Sequence, residues 1–175
     1  MSAHDHASLE PAAWLVSNRA LLPPAGRALD VACGRGRNAL WLARQGFTTV
    51  AIDRDLDAVA SLDARARHEQ LPLSAVTMDL EAGATIEANA FDVIVVVHYL
   101  HRALFPALLA ALRPGGVLVY ETFTAAQAAR GRPTNPAFLL DPGELPRLVA
   151  PLEILAAREG DYEGRFVSSV VARRV

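Results

Sequence analysis

The 175-residue sequence predicts an α/β domain in which a mostly parallel sheet carries helices on both faces and ends in a C-terminal antiparallel hairpin strand. Three observations carry that expectation. Segments of β-like and helix-like character alternate from residue 27 onward, the pattern of strands joined by crossover helices. A glycine turn, Gly34-Arg35-Gly36, links the first such strand to the first such helix. The run Phe91 to Val97, dense in β-branched residues, reads as a strand buried on both faces, as parallel sheets require.

The elements follow in order. Pro11 to Leu22 places Trp14, Leu15, Leu21 and Leu22 at helical spacing and stops at Pro23-Pro24, so it is read as a packing or lid helix within an N-terminal segment 1–26. The first strand is Arg27 to Ala32, followed by the glycine turn and a helix from about Arg37 to Arg44, closed by Gly46. Thr48 to Ile52 is the second strand, ending at Asp53, and a helix runs from Leu56 to about Glu69. Leu73 to Thr77 is a short third strand leading to Met78-Asp79, and Phe91 to Val97 is the fourth, leading to His98-Tyr99. A helix from about Arg102 to Leu112 is expected to stop in a turn at Arg113-Pro114-Gly115-Gly116, before a fifth strand from Val117 to Thr122. Phe123 to Leu140 lacks periodicity and is the longest irregular connection, a kind of segment that usually has a function. Glu144 to Val149 reads as a short helix, and Leu152 to Ala157 and Phe166 to Ala172 as a hairpin turning at Gly160 to Gly164.

Composition removes several classes of function. The single cysteine, Cys33, excludes a disulfide scaffold and a zinc site built on paired cysteines. Every basic residue is arginine; without lysine there is no Schiff base, no lysine-held pyridoxal phosphate and no phosphate-binding loop of the Walker type. A formal net charge of −2, with acids interleaved among the arginines, gives no basic stripe for nucleic acid. No apolar run is long enough to span a bilayer, and Met1 to Glu10 lacks the basic and apolar regions of a signal peptide. The expectation is one cytoplasmic domain acting on a small molecule, without nucleic acid, membrane or metal. His98 and His101 lie three apart, but no further ligand completes a zinc set. His4 and His6 read as tail residues.

The strongest local signal is Leu29-Asp30-Val31-Ala32-Cys33-Gly34-Arg35-Gly36-Arg37-Asn38, with Asp53 at the end of the next strand. Gly34-x-Gly36-x-x-Ala39 satisfies the dinucleotide fingerprint, in which an acid about 20 residues on holds ribose hydroxyls. The same turn serves S-adenosylmethionine, which brings no phosphate. Asp30 favours that ligand, because its carboxylate can bond turn amides or an amino group but would repel a pyrophosphate. Other readings stand beside these: Asp53 as a helix N-cap before Leu56, Asp79 as a turn carboxylate, Cys33 as a small filler, and 130–135 as a solvated loop.

The run from Arg27 to Asp53 resembles motif I and the ribose-binding acid of class I S-adenosylmethionine-dependent methyltransferases, a Rossmann-like family. Asp79-Leu80, Arg113-Pro114-Gly115-Gly116 and the terminal hairpin match that family in order, so the resemblance covers about residues 25 to 175. Within it the chain is most similar to small bacterial tellurite-resistance-type and thiopurine-type methyltransferases, through His98 to Arg102, Glu121-Thr122-Phe123 and Asn135-Pro136-x-Phe138-Leu139-Leu140. One departure is Ala32, where motif I usually has glycine. No Asn-Pro-Pro-Tyr-like signature of base methylation follows the fourth strand.

The resemblance implies a cofactor site of Asp30, Ala32, Cys33, Gly34, Gly36, Asn38, Asp53, Arg54, Asp79, Leu80 and His98, with Asp53 on the ribose and Asp79-Leu80 on the adenine. It also implies an acceptor-recognition insert after the fifth strand, where Arg130 and Arg132 suit an anionic or chalcogen compound. The first polar residue past the central buried strand opens on the crevice, so His98 is expected to face the transferred methyl as base or orienter, with Tyr99 shaping the pocket. The alternatives are an NAD-type oxidoreductase, for which little chain remains to build a catalytic domain, and a non-catalytic S-adenosylmethionine-binding protein.

Overall fold

A computed structural model describes residues 9–83 and 85–175, so the expectations for 1–8, including His4 and His6, lie outside the described residues. One seven-stranded sheet runs through it in the order β3-β2-β1-β4-β5-β7-β6. Its strands are β1 Gly26–Val31, β2 Phe47–Asp53, β3 Leu73–Thr77, β4 Phe91–Val97, β5 Leu112–Phe123, β6 Glu153–Tyr162 and β7 Arg165–Arg173. The first five are parallel, and β7 is antiparallel to both β5 and β6. The order reverses between β1 and β4, and this switch point leaves a crevice beyond the carboxyl ends of the strands. No helix among the described residues is long and apolar enough to cross a membrane.

The helices are α1 Ala13–Ser17, α2 Arg37–Arg44, α3 Leu56–His68, α4 Phe105–Ala111 and α5 Glu144–Leu148. They cover both faces. Val93 and Val95 of β4 pack in one cluster with Leu15 of α1 and Leu42 of α2, whereas Ile94 and Val96 pack in the other with Leu108 of α4 and Leu145 of α5. Successive side chains of a strand point to opposite faces, so a strand covered on both sides must be apolar at nearly every position. That is why β4 shows no alternation.

Three local expectations need correction. The helix expected over Pro11 to Leu22 breaks after Ser17, and a 3₁₀ turn, Arg19–Leu21, follows. The Asn18 side chain donates to the Trp14 carbonyl at 2.8 Å, taking the acceptor that another helical turn would use. The expected turn at Arg113 to Gly116 is the bulged opening of β5: Leu112 pairs with Phe91, Gly115 N–H donates to the Arg174 carbonyl at 2.7 Å, and Arg174 N–H donates to Gly116 at 2.9 Å. The final hairpin is longer than expected, with Gly160 inside β6 and the turn at Glu163-Gly164, both at positive φ as a two-residue hairpin loop of the primed type requires. The connection 123–140 is irregular apart from two 3₁₀ turns, Ala125–Ala129 and Pro136–Phe138.

The turn between β1 and α2 is where the backbone is most constrained. Gly36 has φ +79°, and a Cβ built on it would collide with the buried side chain of Leu62 of α3. Gly34 also has positive φ, but a Cβ there meets nothing within 4 Å. Gly36→Ala should therefore destabilise the fold by about 2–4 kcal/mol, combining overpacking with left-handed strain, and Gly34→Ala by only about 1–2 kcal/mol. Denaturant titration of the two variants measures the difference, and equal losses would remove the contact with Leu62 as its cause.

Candidate active site

Two carboxylates, Asp30 buried and Asp53 half-buried, shape the turn. Asp30, at 1% exposure, accepts from the Ala39 amide of α2 at 2.9 Å. Burial pushes its carboxyl up to about 7, against the opposing pull of that amide and of Arg37. Asp53, at the end of β2, accepts from Gly34 N–H at 2.7 Å through one oxygen and from Asp55 N–H at 2.9 Å through the other. The N-cap of α3 is Asp55, whose side chain accepts from Asp57 and Ala58, so the cap reading of Asp53 falls to its neighbour. Asn38 accepts from the Ala12 amide at 2.9 Å and so fastens the chain entering α1 to α2. Ala32 has φ +54°, a conformation that favours glycine, which accounts for glycine's usual place there in motif I.

Above the turn lie two cavities. The first, about 720 Å³, is lined by Asp53, Arg54, Asp79, Leu80 and Tyr99, and on its far side by Phe123, Arg132 and Phe138. The second, about 630 Å³, is lined by Cys33, Gly34, Arg37 and Asn38 of the turn region, and by Glu121, Arg158 and Arg165 opposite them. Ala32 and His98 line both cavities and form the sill between them. The structure thus brings Ala32, Asp53, Arg54, Asp79, Leu80, His98, Tyr99 and Arg132 around one cavity and Ala32, Cys33, Gly34, Asn38 and His98 around its neighbour. Asp30 and Gly36 line neither, and act beneath the turn.

His98 and Tyr99 differ in environment. His98 sits at φ +58°, its amide donates to the Glu121 carbonyl at 2.8 Å, and its ring stacks on Phe123 with centroids 4.5 Å apart. Burial, then Arg165 and Arg37, lower its pKa to about 4. The unperturbed value that sequence reasoning uses does not apply, and the imidazole is neutral above about pH 5. Tyr99 is pushed up to about 12 by burial and by Glu81, whose carboxylate its hydroxyl approaches at 3.5 Å.

Arg130 is not brought to either cavity. Its guanidinium pairs with Asp161 at 2.7 Å and lies over the Phe166 ring at 4.2 Å, which anchors the 123–140 connection to the hairpin. Gln127 reinforces that anchor by accepting from Phe166 N–H at 2.9 Å. Sequence reasoning missed Glu121, Arg158 and Arg165. The only hint was Glu121 at the carboxyl end of β5; the other two reach the cavity through the antiparallel pairing of β6 and β7.

A protonated Asp30 contributes stability that is present at low pH and lost as its proton dissociates. The folded pKa lies above the unfolded value of about 3.9, so the native state holds the extra proton between about pH 4 and 7 and stability falls as pH rises through that window. His98, lowered to about 4, has the opposite slope between about pH 4 and 6.5, so the comparison must be with a variant. Asp30→Asn should be more stable relative to wild type at pH 7.5 than at pH 4.5. A stability difference independent of pH would contradict the burial argument.

The comparisons agree with this architecture. Residues 28–116 match the family described as methyltransferase domain. Hemagglutinin 1 of Eikenella corrodens is 34% identical over 140 residues, which is 76% of this chain and 46% of that protein. The probable S-adenosyl-L-methionine-dependent methyltransferase TehB of Haemophilus influenzae is 33% identical over 86 residues, 47% of this chain and 29% of that protein. The crystal structure of TehB from Haemophilus influenzae superposes with a TM-score of 0.75 at 21% identity, covering 93% of this chain and 61% of that one. The chain spans about half the length, or less, of the curated relatives it matches. It belongs to the methyltransferase-domain family and has the fold of its class I S-adenosylmethionine-dependent members.

Proposed function

We propose that this chain transfers a methyl group from S-adenosylmethionine to a small anionic acceptor, a chalcogen compound among the candidates, with the adenosyl end in the first cavity, the methionine end toward the second, and the acceptor at the sill between them. The observation that carries this reading is the sill: the two cavities meet at Ala32 and His98, directly beside the turn held by Asp30 and Asp53. The residues fit the cofactor. Open space borders Gly34, Asp53 and Asp79 put carboxylates on the first cavity, and Leu80 gives it an apolar wall. They fit a dinucleotide poorly. The Gly34 and Ala39 amides that a pyrophosphate would need already donate to Asp53 and Asp30, and that anion would meet like charge at Asp53.

Bound there, S-adenosylmethionine supplies an electrophilic methyl on a sulfonium. The chain's own work is then orientation and exclusion of water. Asp53 would hold ribose hydroxyls while fixing the turn, and Asp79 and Leu80 would hold the adenine. His98, neutral and fixed by Phe123, orients the acceptor at the sill and has little driving force to take a proton. Arg132, at the rim of the first cavity, is the one residue of the expected arginine pair left to meet an anion.

Asp53→Ala should weaken S-adenosylmethionine binding by about tenfold or more, the loss of a charge-assisted hydrogen bond of about 1.5–3 kcal/mol. Calorimetry on the folded variant tests it, and unchanged affinity would limit Asp53 to shaping the turn. With acceptors drawn from chalcogen oxyanions, thiols and small carboxylates, and S-adenosylhomocysteine as the measured product, Arg132→Gln should raise the acceptor's KM several-fold. Arg130→Gln should instead lower Tm with KM unchanged; the reverse pattern would make Arg130 the acceptor contact.

A further inference from the structure

The second cavity holds a buried acid with no task in that reading. Glu121, at 7% exposure, pairs in register with Val97 at the end of β4. Its Oε2 accepts from Ser169 Oγ at 2.6 Å and from Arg158 Nη2 at 3.0 Å. Its Oε1 accepts nothing among the described residues, yet no buried side-chain oxygen there lacks a partner, so Oε1 is open to the cavity that Glu121 lines. The carboxylate is also held still. Arg158, which fixes it, is itself clamped between the rings of Trp14 at 4.6 Å and Tyr162 at 4.0 Å.

The surroundings carry the opposite charge. Arg35, Arg37 and Arg165 line the same cavity, and neither Arg35 nor Arg165 has an ion-pair partner among the described residues. Arg37 and Arg165 already act against a positive charge on His98, at the sill. A sulfonium entering here is a cation in a field that opposes cations, and after methyl transfer its sulfur is a neutral thioether. The other acids lining this cavity, Glu10 and Glu163, are exposed, as are Arg35 and Arg165, so solvent and salt screen these four, and Glu121 is the buried acid of the cavity. Asp53 and Asp79 face the other cavity.

We propose that Glu121 is the counter-charge that admits the sulfonium, so that this residue sets the preference for S-adenosylmethionine over S-adenosylhomocysteine and eases release of the neutral product. The inference rests on the proposed function, which puts that cofactor at the sill. A buried carboxylate already fixed by its hydrogen bonds acts without reorganising when the ligand arrives.

Calorimetric titration of wild type and Glu121→Gln with each ligand tests the assignment without an acceptor. The variant should lose about tenfold in affinity for S-adenosylmethionine and stay within twofold for S-adenosylhomocysteine. Equal losses for both ligands, or none, would overturn it. Because Glu121→Gln leaves Arg158 without its carboxylate, Arg165→Gln gives an independent arm: this exposed, unpaired arginine can be replaced without cost to the fold. At low ionic strength its loss should tighten S-adenosylmethionine about twofold and leave S-adenosylhomocysteine unchanged, the gain shrinking as salt is added, and an unchanged ratio at low salt would contradict the inference. Binding of neither ligand to wild type would instead overturn the proposed function, and the inference with it.

Discussion

Asp53 accepts the Gly34 amide at 2.7 Å, and through that bond the end of β2 holds the turn that leaves β1. Asp30 does the same from below, gripping α2 through Ala39. Two carboxylates thus occupy backbone donors that in other doubly wound folds point at a phosphate. Once they are in place, the left-handed conformations at Ala32, Gly34 and Gly36 follow, because the chain must reverse within a few residues while keeping both amides on those oxygens. Gly36 then brings α2 close against Leu62 of α3, and Asn38 brings the chain entering α1 over the turn. The crevice, its sill and its lining are consequences of how this reversal is held.

Charge is distributed unevenly along the crevice. Carboxylates of Asp53, Asp79 and Glu81 line the first cavity, with Arg54 and Arg132 among them, whereas the second has Arg35, Arg37, Arg158 and Arg165 around the buried Glu121, with Glu10 and Glu163 at its exposed edge. His98 stands where the two fields meet; burial lowers its pKa, and Arg165 and Arg37 of the second cavity lower it further. A group in that position serves better as a fixed, neutral orienter than as a proton carrier, which suits an acceptor that arrives as an anion. On the proposed function, hydrogen-bond acceptors would meet the donors of ribose and adenine in the first cavity, and positive charge would meet an anionic nucleophile at the sill.

What could be read from the sequence divides along physical lines. β4 was legible to the residue, since burial on both faces demands a nearly continuous apolar run and Phe91–Val97, with Asp92 its one polar residue, is such a run. The turn of Gly34 and Gly36 and the acid Asp53 were legible because a strand, a tight reversal and a second strand leave few places for them. Local punctuation misled where tertiary pairing overrode it: Pro114 and Gly115 signal a turn, but the Arg174 ladder draws them into β5. Asn18 interrupts α1 through a side-chain bond that periodicity does not register. Arg158 and Arg165 reach the second cavity only because β6 and β7 pair in one register, setting Arg158 opposite Ser169 and both beside Glu121. In the linear sequence they look like charges on a solvated strand. Arg130 is the converse case, since Asp161 and Phe166, which take it up, lie on that same hairpin.

The central claim is that the crevice at the switch point is built for a sulfonium nucleoside and not for a dinucleotide. Titrating the wild-type chain with S-adenosylmethionine and with NAD, under the same conditions, tests it most directly. Saturable binding of S-adenosylmethionine at one site per chain, with no heat from NAD, is the result this account predicts. Binding of NAD, with S-adenosylmethionine silent, would contradict it.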